Sequence, residues 1–240
     1  MSRHSKWHKV RQFKGAIDAK RSASFTKLGR EVMVAAREKG GDPAMNVRLR
    51  VAIERARKAS MPRDNIERAI QKGAGGGAEG QLDALMYEAY AMGGTALIIE
   101  SLTDNRNRAA NEVKHILSDH GGTLALSGSV TYLFDRVGVV MITGVLPADQ
   151  HDDIELALID AGATDILEQE ETVEIRCLPN DLAKVTDAVQ SLHLPIDSTE
   201  FEWIPKILVE TTEEVANEVA ALIDELEEHD DVSKVSSNLA

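Results

Sequence analysis

The chain has 240 residues, 43% of them hydrophobic, which is enough for two or three small domains with cores of their own. Its longest apolar stretch, from Val137 to Leu146, is about half of the roughly 20 residues that a membrane helix needs. Its single cysteine, Cys177, excludes an intramolecular disulfide and a cysteine-rich zinc site. The basic N-terminus lacks the apolar segment of a secretory signal, so we expect a cytoplasmic protein with no membrane partner.

Charge is strongly segregated along the chain. Residues 1–72 hold 19 Lys and Arg against 7 Asp and Glu, whereas residues 73–240 hold 8 against 33. A contiguous basic segment is typical of proteins that bind a polyanion, and nucleic acid is the commonest polyanion in a cell. The alternative is a solvated helical face beside the acidic surface that keeps many proteins soluble. We favour nucleic acid because the basic excess is confined to one segment.

The chain begins with a basic arm, residues 3–14, in which cations alternate with Trp7 and Phe13. Cations can neutralise phosphates, and aromatic rings can stack on unpaired bases. The two rings could equally be the buried side of a short helix that docks on its neighbours. For the Lys and Arg side chains we favour phosphate contact. With Trp7, the candidates in the arm and in the helix after it are Lys6, Lys9, Arg11, Lys14, Lys20, Arg21, Lys27 and Arg30.

Three helices are predicted before residue 73. Apolar residues recur at helical spacing from Phe25 to Ala36, and Gly40-Gly41 ends that helix. Asp42-Pro43 predicts the start of a second helix, with Asp as its N-cap. Met61-Pro62 breaks the second helix. Asp64 and Glu67, three residues apart, offer a capping pair for the third helix. The result is a small helical bundle with a cationic exterior, which on the second helix comprises Arg48, Arg50, Arg55, Arg57 and Lys58.

Five glycines between Gly73 and Gly80 predict a flexible linker, with Gly73 as the C-cap of the third helix. A phosphate-binding loop would need a strand before the glycines and a helix after them, and here the order is reversed. We therefore place the first domain at residues 1–80. Because the remainder is acidic, we expect it to swing away on this linker from a polyanion bound to the bundle.

After the linker the periodicity changes to strands that alternate with helices. Residues 135–203 read as βαββαβ, the order of a ferredoxin-like unit. The flanking residues, 81–134 plus 204–240, make a second α/β domain if they pair with each other, with a strand predicted at Ser129–Phe134. The predicted fold class is therefore α+β: an N-terminal helical bundle followed by two ferredoxin-like α/β domains, the last inserted in the second.

Catalytic and metal patterns are weak. His4 and His8 have helical metal-ligand spacing but no third ligand, and both lie among cations that would repel a divalent ion. No nucleophile elbow, Cys/His pair or HExxH motif occurs. Acidic runs such as Glu227–Asp231 are typical of solvated surfaces. We therefore expect no enzyme activity, no metal site and no cofactor.

One polar block, Leu102–Ala109, falls where a strand is followed by a helix. Asp104 or Asn105 can cap that helix, whose N-terminal N–H groups attract anions. Arg106 and Arg108 add positive charge at the same end. A second contact site for nucleic acid and a structural cap with solvated arginines are both consistent with this pattern.

Several strings together resemble the YebC family of cytosolic regulators, and the resemblance runs nearly end to end. The strings are His4–Trp7, Phe25–Leu28, Ala35–Arg37, Gly40–Pro43, Met61–Ile70, Leu102–Arg108, Gly128–Val130 and Leu133-Phe134. Two departures stand out: Arg3 replaces a usual Gly, and the segment Ala89–Gly94 lacks the family's usual Gly-Tyr-Gly-Pro-Gly-Gly turn. The resemblance implies a helical N-terminal domain, two α/β domains with the third inserted in the second, and a regulatory role without catalysis.

The resemblance leaves the partner open between DNA, as in transcriptional regulators, and ribosomal RNA or the ribosome, as for a related mitochondrial translational activator. A helix–turn–helix interpretation pairs residues 43–59 with 63–72 and directs Arg63, Arg68, Gln71 and Lys72 at the groove. The Met61-Pro62 turn lacks the usual glycine, and no dimer seam is visible, so we expect a monomer. RNA binding needs only a basic surface and stackable rings. The acidic domains would be free to meet the ribosome or another protein.

Overall fold

Three helices form the first described unit. The computed structural model describes residues 18–75 and 82–240, with side chains from residue 25 onward. The helices pack their apolar stripes together around Leu28, Val32, Leu49, Ile53 and Ile66. Their bounds are α1 (Asp18–Lys39), α2 (Val47–Lys58) and α3 (Arg63–Ala74).

The second helix begins later than the sequence predicts. Asn46, not Asp42, is its N-cap: the Asn46 side-chain oxygen accepts the N–H of Leu49 at 3.1 Å. The Asn46 amide also donates to the carbonyls of Ala35 at 2.8 Å and Gly40 at 2.9 Å. Because Asn46 is fully buried and satisfied on three sides, it fixes the crossing from α1 to α2. Asp42 instead closes a short turn by accepting the N–H of Ala44.

The predicted glycine cap of the third helix is also wrong. Gly73 lies inside α3, where a Cβ would overlap the carbonyl oxygen of Met33 and lie 2.8 Å from the Cβ of Ala36. Glycine therefore allows α1 and α3 to approach closely, and α3 ends at Ala74, one residue after Gly73. The predicted acidic cap is absent, since Pro62 precedes the helix with no side-chain cap bond.

After residue 82 the described chain forms two four-stranded antiparallel sheets with four helices. The strands are β1 (Asp83–Tyr90), β2 (Ala96–Thr103), β3 (Thr123–Leu124), β4 (Phe134–Thr143), β5 (Ala163–Glu168), β6 (Thr172–Cys177), β7 (Ile196–Pro205) and β8 (Val232–Ser237). The helices are α4 (Arg106–Asp119), α5 (His151–Asp160), α6 (Leu182–Ser191) and α7 (Glu213–Glu228).

The first sheet has the order β3-β1-β2-β8, so its last strand comes from the C-terminal end of the chain. Helices α4 and α7 cover one face, and Leu97, Ile99, Leu117, Leu222 and Leu226 are fully or almost fully buried there. The chain enters this sheet through the β1–β2 hairpin, unlike the strand–helix–strand start of a ferredoxin-like unit.

The second sheet has the order β5-β6-β4-β7, formed from consecutive elements β4-α5-β5-β6-α6-β7. This is the order of a ferredoxin-like unit, as the sequence predicts for this region. Helices α5 and α6 pack on one face around Val140, Leu158, Ile175, Leu182 and Val185. The domain boundaries proposed from the sequence stay predictions.

The strand predicted at Ser129–Phe134 is wrong. Residues 128–131 instead fold around the carboxylate of Glu88, which accepts the N–H groups of Gly128 and Val130 at 2.6 Å and of Thr131 at 2.8 Å. A short 3-10 turn follows, and β4 begins at Phe134. A buried acid on a neighbouring strand, which local pattern does not reveal, determines this conformation.

The bundle is docked on both sheets. Helix α1 contacts β8, and α2 contacts β7. Val51 of α2 belongs to the apolar core of the second sheet, and Lys58 pairs with Asp197 at 2.7 Å. Individual acids of the two sheets face individual cations of the bundle, and the expected swing away from a bound polyanion stays a prediction.

Candidate nucleic-acid interface

The predicted contact residues fall into three groups by position. Lys6, Trp7, Lys9, Arg11 and Lys14 lie outside the described residues. The backbone of Lys20 and Arg21 lies in α1, but their side chains are outside the description. The structure places the side chains of Lys27, Arg30, Arg106 and Arg108.

Lys27 and Arg30 face the end of α7. The Lys27 ammonium donates to the carbonyl oxygen of Glu227 at 2.5 Å. Arg30 donates to the carbonyl of Asp230 and to Asp231 Oδ1, both at 2.9 Å. The carbonyls at the end of a helix carry partial negative charge, which attracts cations. Burial lowers the pKa of Lys27 more than the surrounding acids raise it.

Asp231 joins the bundle to the first-sheet unit. Its carboxylate is 3% exposed; Oδ1 accepts from Arg30, and Oδ2 accepts from Arg108 and from the Thr103 hydroxyl, both at 2.8 Å. Burial alone would raise the pKa of Asp231, but the hydrogen bonds from Arg108 and Thr103 and the charges of both arginines lower it below its ordinary value. The carboxylate is therefore ionised and held between two guanidinium groups.

Arg106 and Arg108 open α4 and share that end with acids. Asn105 is the N-cap, accepting the N–H of Arg108 at 3.1 Å, as one of the two predicted capping residues. Arg106 pairs with Asp83 at 2.7 Å, and its hydrogen bond lowers the pKa of that carboxyl. Arg108 also contacts Asp104 at 2.9 Å. This end of the helix is thus a group of ion pairs.

A second charged group lies where the bundle and both sheets meet. Arg55, expected on the exterior, donates to Glu31 at 3.0 Å and lies 3.9 Å from Glu200. Lys234 of β8, whose side chain is 9% exposed, contacts Glu200 at 3.1 Å and Glu202 at 3.0 Å on β7. Sequence spacing on α2 could not reveal that its outer face is covered by another unit.

A cavity of about 110 Å³ adjoins this charged group. Arg48 and Arg55 line it from α2, and Arg136 lines it from β4. The Arg136 guanidinium lies over the rings of Phe201 and Trp203, 5.9 and 5.5 Å from their centroids. Contacts of this length are typical of cation–π pairs, which hold a guanidinium in place.

The outward face of α3 carries exposed cations. Arg63, Arg68, Gln71 and Lys72 are all exposed, as the helix–turn–helix interpretation predicts. Arg63 is 88% exposed and pairs only with Glu67 of the same helix among its described ion pairs. Exposed pairs of this kind contribute little to stability, so a phosphate can replace the partner.

The turn before α3 is made without glycine. Ser60 adopts a left-handed φ of 64°, and its N–H and that of Met61 bond back to Arg57 and Ala56. This is the Schellman pattern that usually employs Gly at the left-handed position. The missing glycine therefore does not argue against a tight helix–turn–helix connection here.

One potential metal-ligand group occurs among the described residues, although the sequence predicts none. His151 and Glu155 lie one turn apart on α5, and their ligand atoms and that of Glu168 lie within 4.8 Å of one another. His151 contacts Glu168 at 2.5 Å, and this hydrogen bond, with nearby acids, raises the pKa of the imidazole. The spacing of four between His151 and Glu155 was the available sequence signal.

Cys177 lies at 0% exposure on β6. Burial, with the charge of Asp181, raises the pKa of its thiol to about 11. The thiol is therefore protonated near neutral pH and is a poor nucleophile.

Among the described helices, none is both long enough and apolar enough to span a lipid bilayer.

Comparison with known proteins covers nearly the whole chain. Residues 5–76 match the family described as TACO1/YebC protein N-terminal domain, and residues 82–239 match the TACO1/YebC second and third domain. Among solved structures, a conserved hypothetical protein from Aquifex aeolicus is 40% identical with a TM-score of 0.86, over 98% of this chain and 97% of that one.

Two similar sequences are each described as a probable transcriptional regulatory protein. The one from Persephonella marina is 46% identical over 99% of this chain and 95% of its own length. The one from Desulforamulus reducens is 42% identical over 99% of this chain and 98% of its own length. With both family segments matched and identity above 40% along almost the full length, the chain belongs to the TACO1/YebC family.

Proposed function

We propose that this protein regulates gene expression by binding nucleic acid through its basic N-terminal unit, without catalysing a reaction. The observation that carries the proposal is the charge segregation: 19 Lys and Arg against 7 Asp and Glu in residues 1–72, and 8 against 33 in the remainder. A phosphate backbone would be attracted to the first part and repelled by the second. The relatives described as probable transcriptional regulatory proteins support the regulatory part of the proposal.

We place the contact surface on the outward face of α3, together with the basic arm of residues 3–14, which lies outside the described residues. Arg63, Arg68 and Lys72 are exposed on α3, and their neighbours on that face include Asp64 and Glu67. Cations that project into solvent can exchange surface partners for phosphates at little cost. This face differs from the surface of Lys27, Arg30 and Arg108, whose hydrogen bonds go to Glu227 and Asp231.

Duplex DNA is the partner we propose first. Helices α2 and α3 are joined by a tight turn, and the second helix of such a pair can enter a major groove. The second candidate is RNA or the ribosome, favoured by the alternation of cations with Trp7 and Phe13 in the arm. Aromatic stacking on single-stranded bases contributes about 1–3 kcal/mol per base, and duplex DNA offers few unstacked bases.

The experiment compares two triple variants for binding to a 20-base-pair DNA and a 20-nucleotide RNA across a salt series. The first variant replaces Arg63, Arg68 and Lys72 with Ala; the matched control replaces Lys114, Lys184 and Lys206 of the acidic units. We expect the first to weaken binding and to reduce the log–log salt slope by up to about 2–3, since each phosphate contact contributes roughly 0.9 on duplex DNA. Equal losses in both variants would contradict a binding surface on α3.

Partner type is decided by Trp7→Ala in the same assay. A larger loss on RNA than on DNA would favour the RNA candidate, and an unchanged preference for duplex would favour DNA. Absence of binding to both probes by the unmodified protein would contradict the proposed function.

A further inference from the structure

The segment from the end of α7 to Asp231 covers a cationic face of α1. Lys27 and Arg30 lie one turn apart on that helix, and each donates a hydrogen bond to the segment. The partners are two backbone carbonyls and one carboxylate. A phosphodiester would offer the same kind of acceptor, namely an anionic oxygen for a guanidinium and for an ammonium group.

Asp231 has the coordination expected for a bound phosphate. Its two oxygens receive three hydrogen bonds, from Arg30 at 2.9 Å and from Arg108 and Thr103 at 2.8 Å. The carboxylate itself is 3% exposed, whereas the Arg30 and Arg108 side chains are 27% and 44% exposed. The two cations are therefore accessible to a competing anion while the carboxylate that holds them is not.

The contact surface between the bundle and the sheets is rich in such ion pairs. Besides Asp231, Lys58 pairs with Asp197 at 2.7 Å and Arg50 lies 3.5 Å from Asp187, both pairs partly exposed. Exposed pairs are weak and are screened by salt. The apolar packing of Val51 against the second sheet is a different kind of contact and would persist when ion pairs exchange.

Electrostatic repulsion between bound phosphates and the acidic units would weaken the same contact as phosphate competition for Arg30 does. A nucleic acid bound to the basic unit would bring its phosphates towards residues 73–240, which carry 33 Asp and Glu against 8 Lys and Arg. Both effects oppose the contact between α1 and the end of α7 when a polyanion is bound.

We propose that Asp231 is an intramolecular competitor for nucleic-acid phosphate, which masks a second phosphate-binding face at Lys27 and Arg30 until a bound polyanion displaces it. The inference rests on the proposed function and adds a conformational step to it. Displacement frees α1 from the end of α7 and moves the bundle relative to the first sheet. The bundle therefore binds weakly to short or isolated phosphates and more tightly to a polyanion long enough to occupy both faces.

The chain offers a matched pair of variants. Asp231→Asn removes the charge that holds Arg30 and Arg108. Asp104→Asn removes the same charge from an acid that also pairs with Arg108, at 2.9 Å, and has no ion pair with the bundle among the described residues. Because both variants change the net charge equally, a difference between them reports the position of Asp231 between Arg30, Arg108 and Thr103.

The experiment measures affinity and distance with a mixed-sequence 20-base-pair DNA and a 20-nucleotide RNA. We expect Asp231→Asn to bind about 3–10-fold more tightly than Asp104→Asn, with a salt slope steeper by about one to two. For distance, spin labels are attached at Ala74→Cys on α3 and Asn217→Cys on α7, in a Cys177→Ala background. Adding either probe to the otherwise unmodified protein should lengthen the distance between the labels.

The outcomes separate the two proposals. Equal affinities for the two Asn variants, or a distance unchanged at saturating probe, would overturn the inference while leaving nucleic-acid binding intact. The distance measurement retains Asp231, so it decides the question even if Asp231→Asn does not fold. Failure of every variant and of the unmodified protein to bind either probe would overturn the proposed function and, with it, this inference.

Discussion

Lys234 on β8 and Glu202 on β7 join the two sheets through an ion pair of 3.0 Å. Glu200 lies two residues before Glu202, on the same face of β7, and contacts the same ammonium at 3.1 Å. Glu200 also lies 3.9 Å from Arg55 of the bundle. The ammonium is almost completely buried, and the surrounding acids raise the pKa of Lys234 although burial opposes this. Lys234 thus pairs with two acids of β7 at the point where the bundle and the two sheets meet.

Replacing that lysine should destabilise the protein. Lys234→Met keeps the length of the side chain but removes the cation closest to Glu202, while Glu200 keeps Arg55 at 3.9 Å. Removing one partner of a buried pair costs about 3–5 kcal/mol, because a charge that stays buried loses its compensation. Chemical denaturation measures the change. The control is Lys184→Met, which removes a 72% exposed lysine paired with Asp181 and should change the free energy of unfolding far less. Similar losses in both would contradict the role of burial.

Gly73→Ala should loosen the bundle. The added methyl group would overlap the Met33 carbonyl, so α1 and α3 would have to separate. Overpacking of this kind costs about 1–3 kcal/mol, partly offset by the better helix propensity of alanine. Thermal unfolding measures the loss. Gln71→Ala, an exposed change on the same helix, is the control, and a Gly73→Ala protein as stable as the control would show that the helices adjust freely.

Glu88→Gln should disorder residues 128–131. Burial raises the pKa of Glu88, but backbone hydrogen bonds from Gly128, Val130 and Thr131 outweigh it and lower the pKa below its ordinary value. An amide at this position offers one oxygen to three N–H donors, and hydrogen bonds to a charged group contribute about 1.5–3 kcal/mol each. Hydrogen exchange at those three N–H groups should accelerate in the variant.

The same carboxylate gives a pH dependence with a defined sign. Because the folded-state pKa of Glu88 is lower than its unfolded value, its stabilising effect is complete above the unfolded value near 4.5 and is lost as pH falls through the folded value. As pH falls below about 4.5, the wild-type protein should lose stability more steeply than Glu88→Gln. Parallel profiles for the two proteins would show that folding does not lower the pKa of Glu88.

Cys177 should be unreactive while the protein is folded. Its thiol has a pKa of about 11 and no exposed surface, so at pH 8 little thiolate forms and reagents cannot reach it. A disulfide-exchange reagent should label it only after denaturant is added, in step with the loss of helical signal. Rapid labelling of the native protein would indicate local opening around β6.

Local sequence patterns predicted an element correctly where neighbouring residues alone determine its conformation. The change from strand to helix within Leu102–Ala109 and the cap at Asn105 follow from a short polar block beside a helix start. The start of α2 was wrong because Asn46 is held by the carbonyls of Ala35 and Gly40, a contact that depends on how the chain folds back on α1. The turn at residues 128–131 was wrong for a similar reason, since Glu88 lies 40 residues earlier than the first N–H that it accepts.

The candidate site also depends on contacts between residues far apart in the chain, which local sequence patterns do not reveal. Charge totals identified the basic unit, but they could not assign individual partners. Arg30 and Asp231 are 201 residues apart in the chain, and their contact depends on how α1 docks on the end of α7. A sum over residues treats that acid as a source of repulsion, whereas its position makes it a ligand of the cation.

The first sheet has a consequence for the order of folding during synthesis. Its strand β2 pairs with β8, which lies within the last ten residues of the chain, whereas the second sheet is complete by Pro205. A ribosome therefore releases every strand of the second sheet before it supplies the partner of β2. Until then the apolar strand Ala96–Thr103 has an open edge, a known hazard for aggregation. Premature termination after residue 205 would leave a folded second sheet attached to an unfinished first one.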